Sequence, residues 1–202
     1  MEFDQVAEQW DNERRIKRAQ KLVNQIRLCV PDLAQKRVLE FGCGTGLLSF
    51  GLLPYVKEIT GYDLSVKMRE VYKSKIVSYD ANNARVLESL KMAKGQMPYD
   101  LIFSSMVFHH ILDVKAKVCE LKSLLSENGI FLMIDLDEED GSFHQEEEGF
   151  DGHNGFSRQY IADVLKESGF EKVEVMDAYQ GEKEIANKTI AYSLFLAVGQ
   201  RP

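Results

Sequence analysis

The chain has 202 residues, 45% of them apolar and 28% charged, proportions that fit one folded domain with a core and exclude disorder as its main state. Its 25 basic and 32 acidic residues give a net charge of −7, which argues against a protein whose main task is to coat phosphate backbones. The longest apolar stretches, such as Phe131 to Ile134 and Ser193 to Val198, fall far short of the roughly 20 residues that cross a bilayer. The opening Met1-Glu2-Phe3-Asp4 carries no secretory pattern, and Cys29, Cys43 and Cys119 lack the spacing of a disulfide framework or zinc site, so a cytoplasmic protein is expected.

From Phe3 to about Val30, the positions Ile16, Leu22, Val23, Ile26 and Val30 recur at helical spacing until Pro31, which predicts one or two leading helices over residues 1–31. Arg14, Arg15, Lys17, Arg18 and Lys21 form a basic cluster there, but a single basic helix is usually a solvated face, so no nucleic-acid partner is expected. Strands are predicted at Arg37–Phe41, Glu58–Tyr62, Ala84–Leu87, Asp100–Ser104 and Gly129–Asp135, with helices at Thr45–Leu53, Ser65–Lys75 and Val114–Leu125. Composition then turns acidic and glycine-rich over 136–156, which predicts a surface insertion unable to supply a core face. A helix at Ser157–Ser168 ending at Gly169 follows, and then two runs, Lys172–Tyr179 and Thr189–Val198, separated by polar residues including Gly181. They predict a closing antiparallel hairpin. The alternation implies a single α/β domain over 1–202 around a mostly parallel sheet.

The most informative segment is Val38-Leu-Glu-Phe-Gly42-Cys-Gly44-Thr-Gly46-Leu-Leu-Ser, a strand entering a glycine turn that opens a helix. Such a turn lies at the carboxyl edge of an open sheet, where bare backbone can approach a ligand. After Gly42 and Gly44 a dinucleotide fingerprint would place its third glycine at Leu47, so the spacing argues against NAD. Glu40, two residues before the turn, sits poorly beside a pyrophosphate but well beside an ammonium or sulfonium. Asp63, about 20 residues later, occupies the place where a carboxylate accepts from ribose hydroxyls. A ribose with a cationic tail fits both.

On these residues the chain resembles the class I S-adenosylmethionine-dependent methyltransferases, in particular the small-molecule group of the ubiquinone and menaquinone biosynthesis type. The resemblance rests on Glu40-Phe-Gly-Cys-Gly-Thr-Gly46 with Asp63, on Phe3-Asp-Gln-Val-Ala-Glu-Gln-Trp10-Asp11, and on Tyr99-Asp-Leu-Ile-Phe-Ser-Ser-Met-Val-Phe-His-His110. It implies a Rossmann-like seven-stranded sheet with an antiparallel last strand and helices on both faces, and S-adenosylmethionine as cofactor. Gly42, Gly44 and Gly46, with Cys43 and Thr45 in the same turn, would line its methionine and ribose portion. Glu40 would face the ammonium, Asp63 the ribose diol, and Leu64 and Met68 the adenine. Either Glu88 or Ser89 would meet the adenine amine, Ser104 and Ser105 would offer backbone or hydroxyl contacts, and Phe3 and Trp10 would cap the cofactor. Cys43 itself reads as a packing residue, since no base lies nearby in the sequence. The short segment Lys91–Pro98 implies a reduced helix before the fourth strand.

Methyl transfer from a sulfonium is an in-line displacement in which positioning can supply about 7–11 kcal/mol, so a dedicated base is optional. His109 and His110, after the fourth strand, are the candidates for an orienting or base role, while His144 and His153 in the insertion suggest a lid that contacts substrate. Their irregular spacing does not predict a metal site. Ser-Ser-Met-Val at 104–107 departs from the Asn/Asp-Pro-Pro-aromatic pattern of adenine or glutamine amino methylation. Between Asp135 and Asp151 nine acidic residues occur without a Lys or Arg, and removing those charges from −7 leaves +2. This concentration suggests a cationic or amine-bearing acceptor, and suggests that the basic cap and acidic lid approach each other across the cleft. Methylation of tRNA or protein, non-catalytic binding of S-adenosylmethionine and an oxidoreductase remain the alternatives.

Overall fold

The computed structural model describes residues 2–95, 98–185 and 188–202. A short helix α1 (Glu2–Val6) leads into α2 (Glu13–Cys29), whose first turn is capped by the Asn12 side chain accepting from Arg15 N at 3.0 Å. Ala19, Leu22, Val23 and Ile26 are its buried stripe, at the spacing of one helical face. Strand β1 (Arg37–Phe41) enters the glycine turn and α3 (Leu47–Leu52), which is shorter than the expected Thr45–Leu53 because Pro54 tightens its end into a 3₁₀ turn. Then come β2 (Glu58–Tyr62), α4 (Val66–Ser78), β3 (Ala84–Leu87) and β4 (Tyr99–Ser105). Between β3 and β4 only a 3₁₀ segment, Leu90–Gly95, is described, and residues 96–97 of the expected reduced helix lie outside the described residues.

Helix α5 (Val114–Lys122) starts on Asp113, whose carboxylate accepts from Ala116 N at 2.9 Å. Strand β5 (Leu125–Leu136) begins earlier than expected. Helix α6 (Arg158–Glu167) ends where Gly169 takes φ +78° and the amides of Gly169 and Phe170 bond back to Lys166 O and Leu165 O. Two long strands close the chain, β6 (Glu171–Ile185) and β7 (Lys188–Gln200). Gly181 therefore lies inside β6, opposite Tyr192, rather than in the connection, and residues 186–187 lie outside the described residues. The Glu182-Lys-Glu run reads as loop from composition, yet β6 is the edge strand, where charged side chains protect exposed backbone groups.

The sheet order is β3-β2-β1-β4-β5-β7-β6, with β7 antiparallel to both of its neighbours and every other described pairing parallel. Alternation along the strands divides the core. Leu39, Ile102, Phe131 and Met133 face α5 and α6, while Val38, Leu101, Phe103, Leu132 and Ile134 face α2 and α3. Each fully buried Leu, Ile or Phe contributes about 1.5–3 kcal/mol, which makes the sheet ends a rigid platform. The segment after β5 departs from its expected character: Phe143, His144 and Phe156 are buried. Two of its carboxylates serve as internal partners, Asp137 holding Arg158 at 2.7 Å and Glu139 accepting from Phe143 N at 3.0 Å, while Glu138, Asp140, Glu146, Glu148 and Asp151 are exposed. Among the described residues no helix is long and apolar enough to cross a membrane.

Candidate active site

The chain leaves β1 toward β2 on one side and later returns to β4 on the other, so a crevice opens beyond the carboxyl ends of β1 and β4. Gly42 sits at that reversal with φ +76°, and a Cβ there would lie 2.2 Å from Val107 Cγ2 after β4. Only glycine satisfies both the left-handed backbone and the close approach. Asp63 ends β2 and accepts from Gly44 N at 2.8 Å and Ser65 N at 2.9 Å, tying the turn to the start of α4. Burial raises its pKa.

Glu40 is 2% exposed, and the Ser49 hydroxyl donates to its Oε2. Burial, reinforced by the Asp63 charge, pushes its pKa up to about 8. An ammonium at hydrogen-bonding distance would restore its charged form. The crevice is a cleft of about 530 Å³, walled by Glu40, Gly42, Cys43, Gly44, Thr45, Asp63, Leu64, Met68, Ser89, Ser105 and His110, with Phe3 and Trp10 from the leading segment.

Several anticipated residues fall elsewhere. Gly46, at φ +87°, turns the chain into α3 against Phe50 and Tyr72. Glu88 points out to Lys73 at 3.1 Å, leaving Ser89 at the wall. The Ser104 hydroxyl is buried and donates to Phe41 O at 2.8 Å, so it braces β1 against β4. Cys43 is buried and burial drives its pKa well up, the state of a packing thiol.

The leading segment is latched by two aspartates that spacing alone does not reveal. Ser65 Oγ donates to Asp4 at 2.5 Å, and Thr45 Oγ1 donates to Asp11 at 2.5 Å, while Lys75 Nζ donates to the second oxygen of Asp11. Trp10 is thereby held over Gly44, its Nε1 3.7 Å from where a Cβ would stand. The Arg15 guanidinium covers the indole at 3.8 Å from the ring centroid.

Adjoining this cleft is a second pocket of about 190 Å³, in which the leading segment and the segment after β5 face each other. Phe3, Trp10, Arg14, Arg15 and Arg18 form one wall, Phe143, His144, Glu147 and Lys183 another, with Met106, His109 and His110 at its floor. His109 Nδ1 meets Asp135 Oδ1 at 2.5 Å, and both are buried. Asp135 also accepts from the backbone amides of Phe108 at 2.8 Å, Leu136 at 2.8 Å and Val107 at 3.2 Å. Burial opposes its ionisation, but the His109 ring and these donors outweigh it and hold its pKa down. The carboxylate at Nδ1 fixes the orientation of the ring, so that Nε2 is the nitrogen directed away from Asp135. Counted by composition, Asp135 belongs to the acidic insertion; its position in β5 makes it the anchor of His109.

Desolvation and the neighbouring His109 push His110 down to about 4, and the same causes, with His110 and Lys183, push His144 to about 3. Both are neutral at physiological pH. His144 stacks on Phe150 at 3.9 Å between ring centroids. His109, His110 and His144 offer ligand atoms within 4.8 Å of one another, but the surrounding arginines and Lys183 oppose a cation there. His153 touches neither pocket. Its Nε2 lies 3.0 Å from Ile111 O and its amide donates to His109 O at 2.7 Å, which pins the segment after β5 to the turn after β4.

The sequence model of a family described as "Methyltransferase domain" matches residues 12–175. An uncharacterized methyltransferase of Schizosaccharomyces pombe is 33% identical over 160 residues, 71% of this chain and 56% of the relative. A ubiquinone biosynthesis O-methyltransferase of Pelagibacter ubique is 29% identical over 111 residues, 55% of this chain and 46% of that protein. The chain thus spans about half the length of the curated relatives it matches. Among solved structures, an S-adenosylmethionine-dependent methyltransferase from Aquifex aeolicus superposes with a TM-score of 0.71 at 18% identity, covering 98% of each chain, which is a likeness of fold.

Proposed function

Because the chain belongs to this methyltransferase-domain family, we propose that it transfers a methyl group from S-adenosylmethionine to a small-molecule acceptor seated in the 190 Å³ pocket. The observation that carries this reading is the buried Glu40 carboxyl group, its pKa raised to about 8 by burial, at one wall of a cleft that it shares with bare turn backbone and Asp63. Glu40 would hold the cofactor's ammonium, Asp63 its ribose hydroxyls, and Leu64, Met68 and Ser89 its adenine end. S-adenosylmethionine supplies a methyl on a positively charged sulfur, and loss of that charge makes the thioether a good leaving group.

The rest is the work of the chain's own residues. Phe3 and Trp10 close the cleft and exclude water from it. His110 stands where the two pockets join, since it lines both. His109 Nε2, fixed by Asp135, is placed to take a proton from an acceptor hydroxyl or amine as it is methylated. A volume near 190 Å³, below the roughly 300–1,000 Å³ of most ligand pockets, favours a small acceptor over a tRNA or protein.

The test is incubation with methyl-labelled S-adenosylmethionine and a cell extract split by dialysis. Label in the dialysable fraction, dependent on His109, is expected. Label confined to RNA or protein, or none at all, overturns the small-molecule assignment.

A further inference from the structure

The second pocket has a charge that contradicts the acidity of the segment that borders it. Arg14, Arg15, Arg18 and Lys183 face it against one carboxylate, Glu147, which stands 3.8 Å from Lys183 Nζ. The segment's other carboxylates do not line this pocket: Asp135 lies beneath His109, Asp137 is turned to Arg158 and Glu139 to Phe143 N, and Glu138, Asp140, Glu146, Glu148 and Asp151 are exposed, with Glu146 near enough to act on Lys183. An expectation of a cationic acceptor from composition is thereby reversed. Four cations about one small pocket repel one another, and burial together with Arg14 and Arg18 lowers Arg15 to about 10, while burial outweighs Glu147 and lowers Lys183. Arg14 Nη1 and His144 Nδ1 are buried there with no hydrogen-bond partner among the described residues. An unmet buried guanidinium donor of this kind is costly until a partner completes it.

Resting on the methyltransferase reading, we propose that the acceptor carries an anionic group, carboxylate or phosphate, bound by Arg14 and Lys183, with an apolar body against Phe3, Trp10 and Phe143. The guanidinium edge of Arg14 offers charge-assisted donors that an oxyanion completes, and Lys183, already fixed at 2.9 Å to Phe143 O, adds a second charge. Arg15 and Arg18 have other tasks, one over Trp10 and one donating to the Tyr192 hydroxyl at 3.3 Å, and supply field instead of contact. The neutral histidines leave that positive field in place without adding to it at physiological pH. Anchoring the acceptor at this end would aim its other end past His109 and His110 toward the cofactor cleft.

The sole tryptophan, Trp10, lines both pockets and reports on each. With the protein saturated with S-adenosylhomocysteine, its fluorescence is titrated with benzoate, phenyl phosphate, benzyl alcohol and benzylammonium. We expect one of the two anions to bind at least about tenfold more tightly than the alcohol, the tighter one identifying the group. Arg14→Gln and Lys183→Gln should each abolish that preference while retaining S-adenosylhomocysteine affinity, and Glu138→Gln, on the exposed face of the same segment, should keep it. Equal binding of all four, preference for the alcohol or benzylammonium, or no binding of any of them overturns the proposal. Failure to bind S-adenosylhomocysteine would instead sink the methyltransferase reading, so the two failures are distinguishable.

Discussion

The two pockets are built in opposite ways. The larger cleft takes its central polar groups from one strand, its turn and the end of the next strand, with Glu40, Gly42, Gly44 and Asp63 set by sheet topology within 24 positions, and distant segments such as Phe3, Trp10 and Ser89 only complete its walls. The smaller one gathers α2, the turn after β4, the segment after β5 and the edge hairpin, so that Arg14 and Lys183 meet across most of the chain. A site made by one local motif has its chemistry written in consecutive residues. A site made by distant segments takes its charge from which side chains turn inward, and here the basic start of α2 and Lys183 set a sign opposite to that of the acidic segment after β5.

The sharpest attack on this contrast is Asp135→Ala. It leaves three backbone amides and His109 without their acceptor, and should cost about 3–5 kcal/mol in a urea unfolding curve. Glu148→Ala, on the exposed face of the same acidic segment, should stay within about 0.5 kcal/mol, and equal losses would make Asp135 just another loop carboxylate. Gly42→Ala comes next. The left-handed backbone and the clash with Val107 should together cost about 2–4 kcal/mol, read as lost cofactor affinity or stability. Asp63→Ala should weaken S-adenosylhomocysteine binding by about 1–3 kcal/mol in calorimetry without altering the acceptor pocket. Asp11→Ala removes the latch to Thr45 and Lys75, and is expected to cost about 0.5–1.5 kcal/mol and to shift the Trp10 emission toward that of exposed indole. Smallest of all, Glu88→Gln should leave cofactor affinity within about 0.5 kcal/mol, because that carboxylate points to Lys73 and away from the cleft.

Strand positions and the reversal at β1 and β4 were legible because apolar alternation and a glycine turn are short-range signals. The placement of Glu40 and Asp63 beside the glycine turn was legible for the same reason. Less visible were features that depend on distant partners. The edge strand β6 hides in a charged run, since solvent-facing Glu182 and Glu184 resemble loop until Thr189 and Ala191 pair with them. Phe143, His144 and Phe156 are isolated in an acidic stretch, and only their packing shows that they form an interior. Asp4 and Asp11 could have been suspected from the leading segment quoted with Trp10, but their partners, Ser65 and Thr45, lie far along the chain.

Glu40 gives the most direct test. Its raised pKa means the unliganded fold binds a proton that the unfolded chain releases near pH 4.5, so its contribution to stability falls as pH rises from about 4.5 through about 8. A bound ammonium reverses this by favouring the carboxylate. S-adenosylhomocysteine titrated at pH 7 in two buffers of different ionisation enthalpy should therefore release close to one proton from the wild type and almost none from Glu40→Gln, while NAD produces no binding heat. Binding of NAD alone, or of S-adenosylhomocysteine with the same proton release in both proteins, would contradict the account.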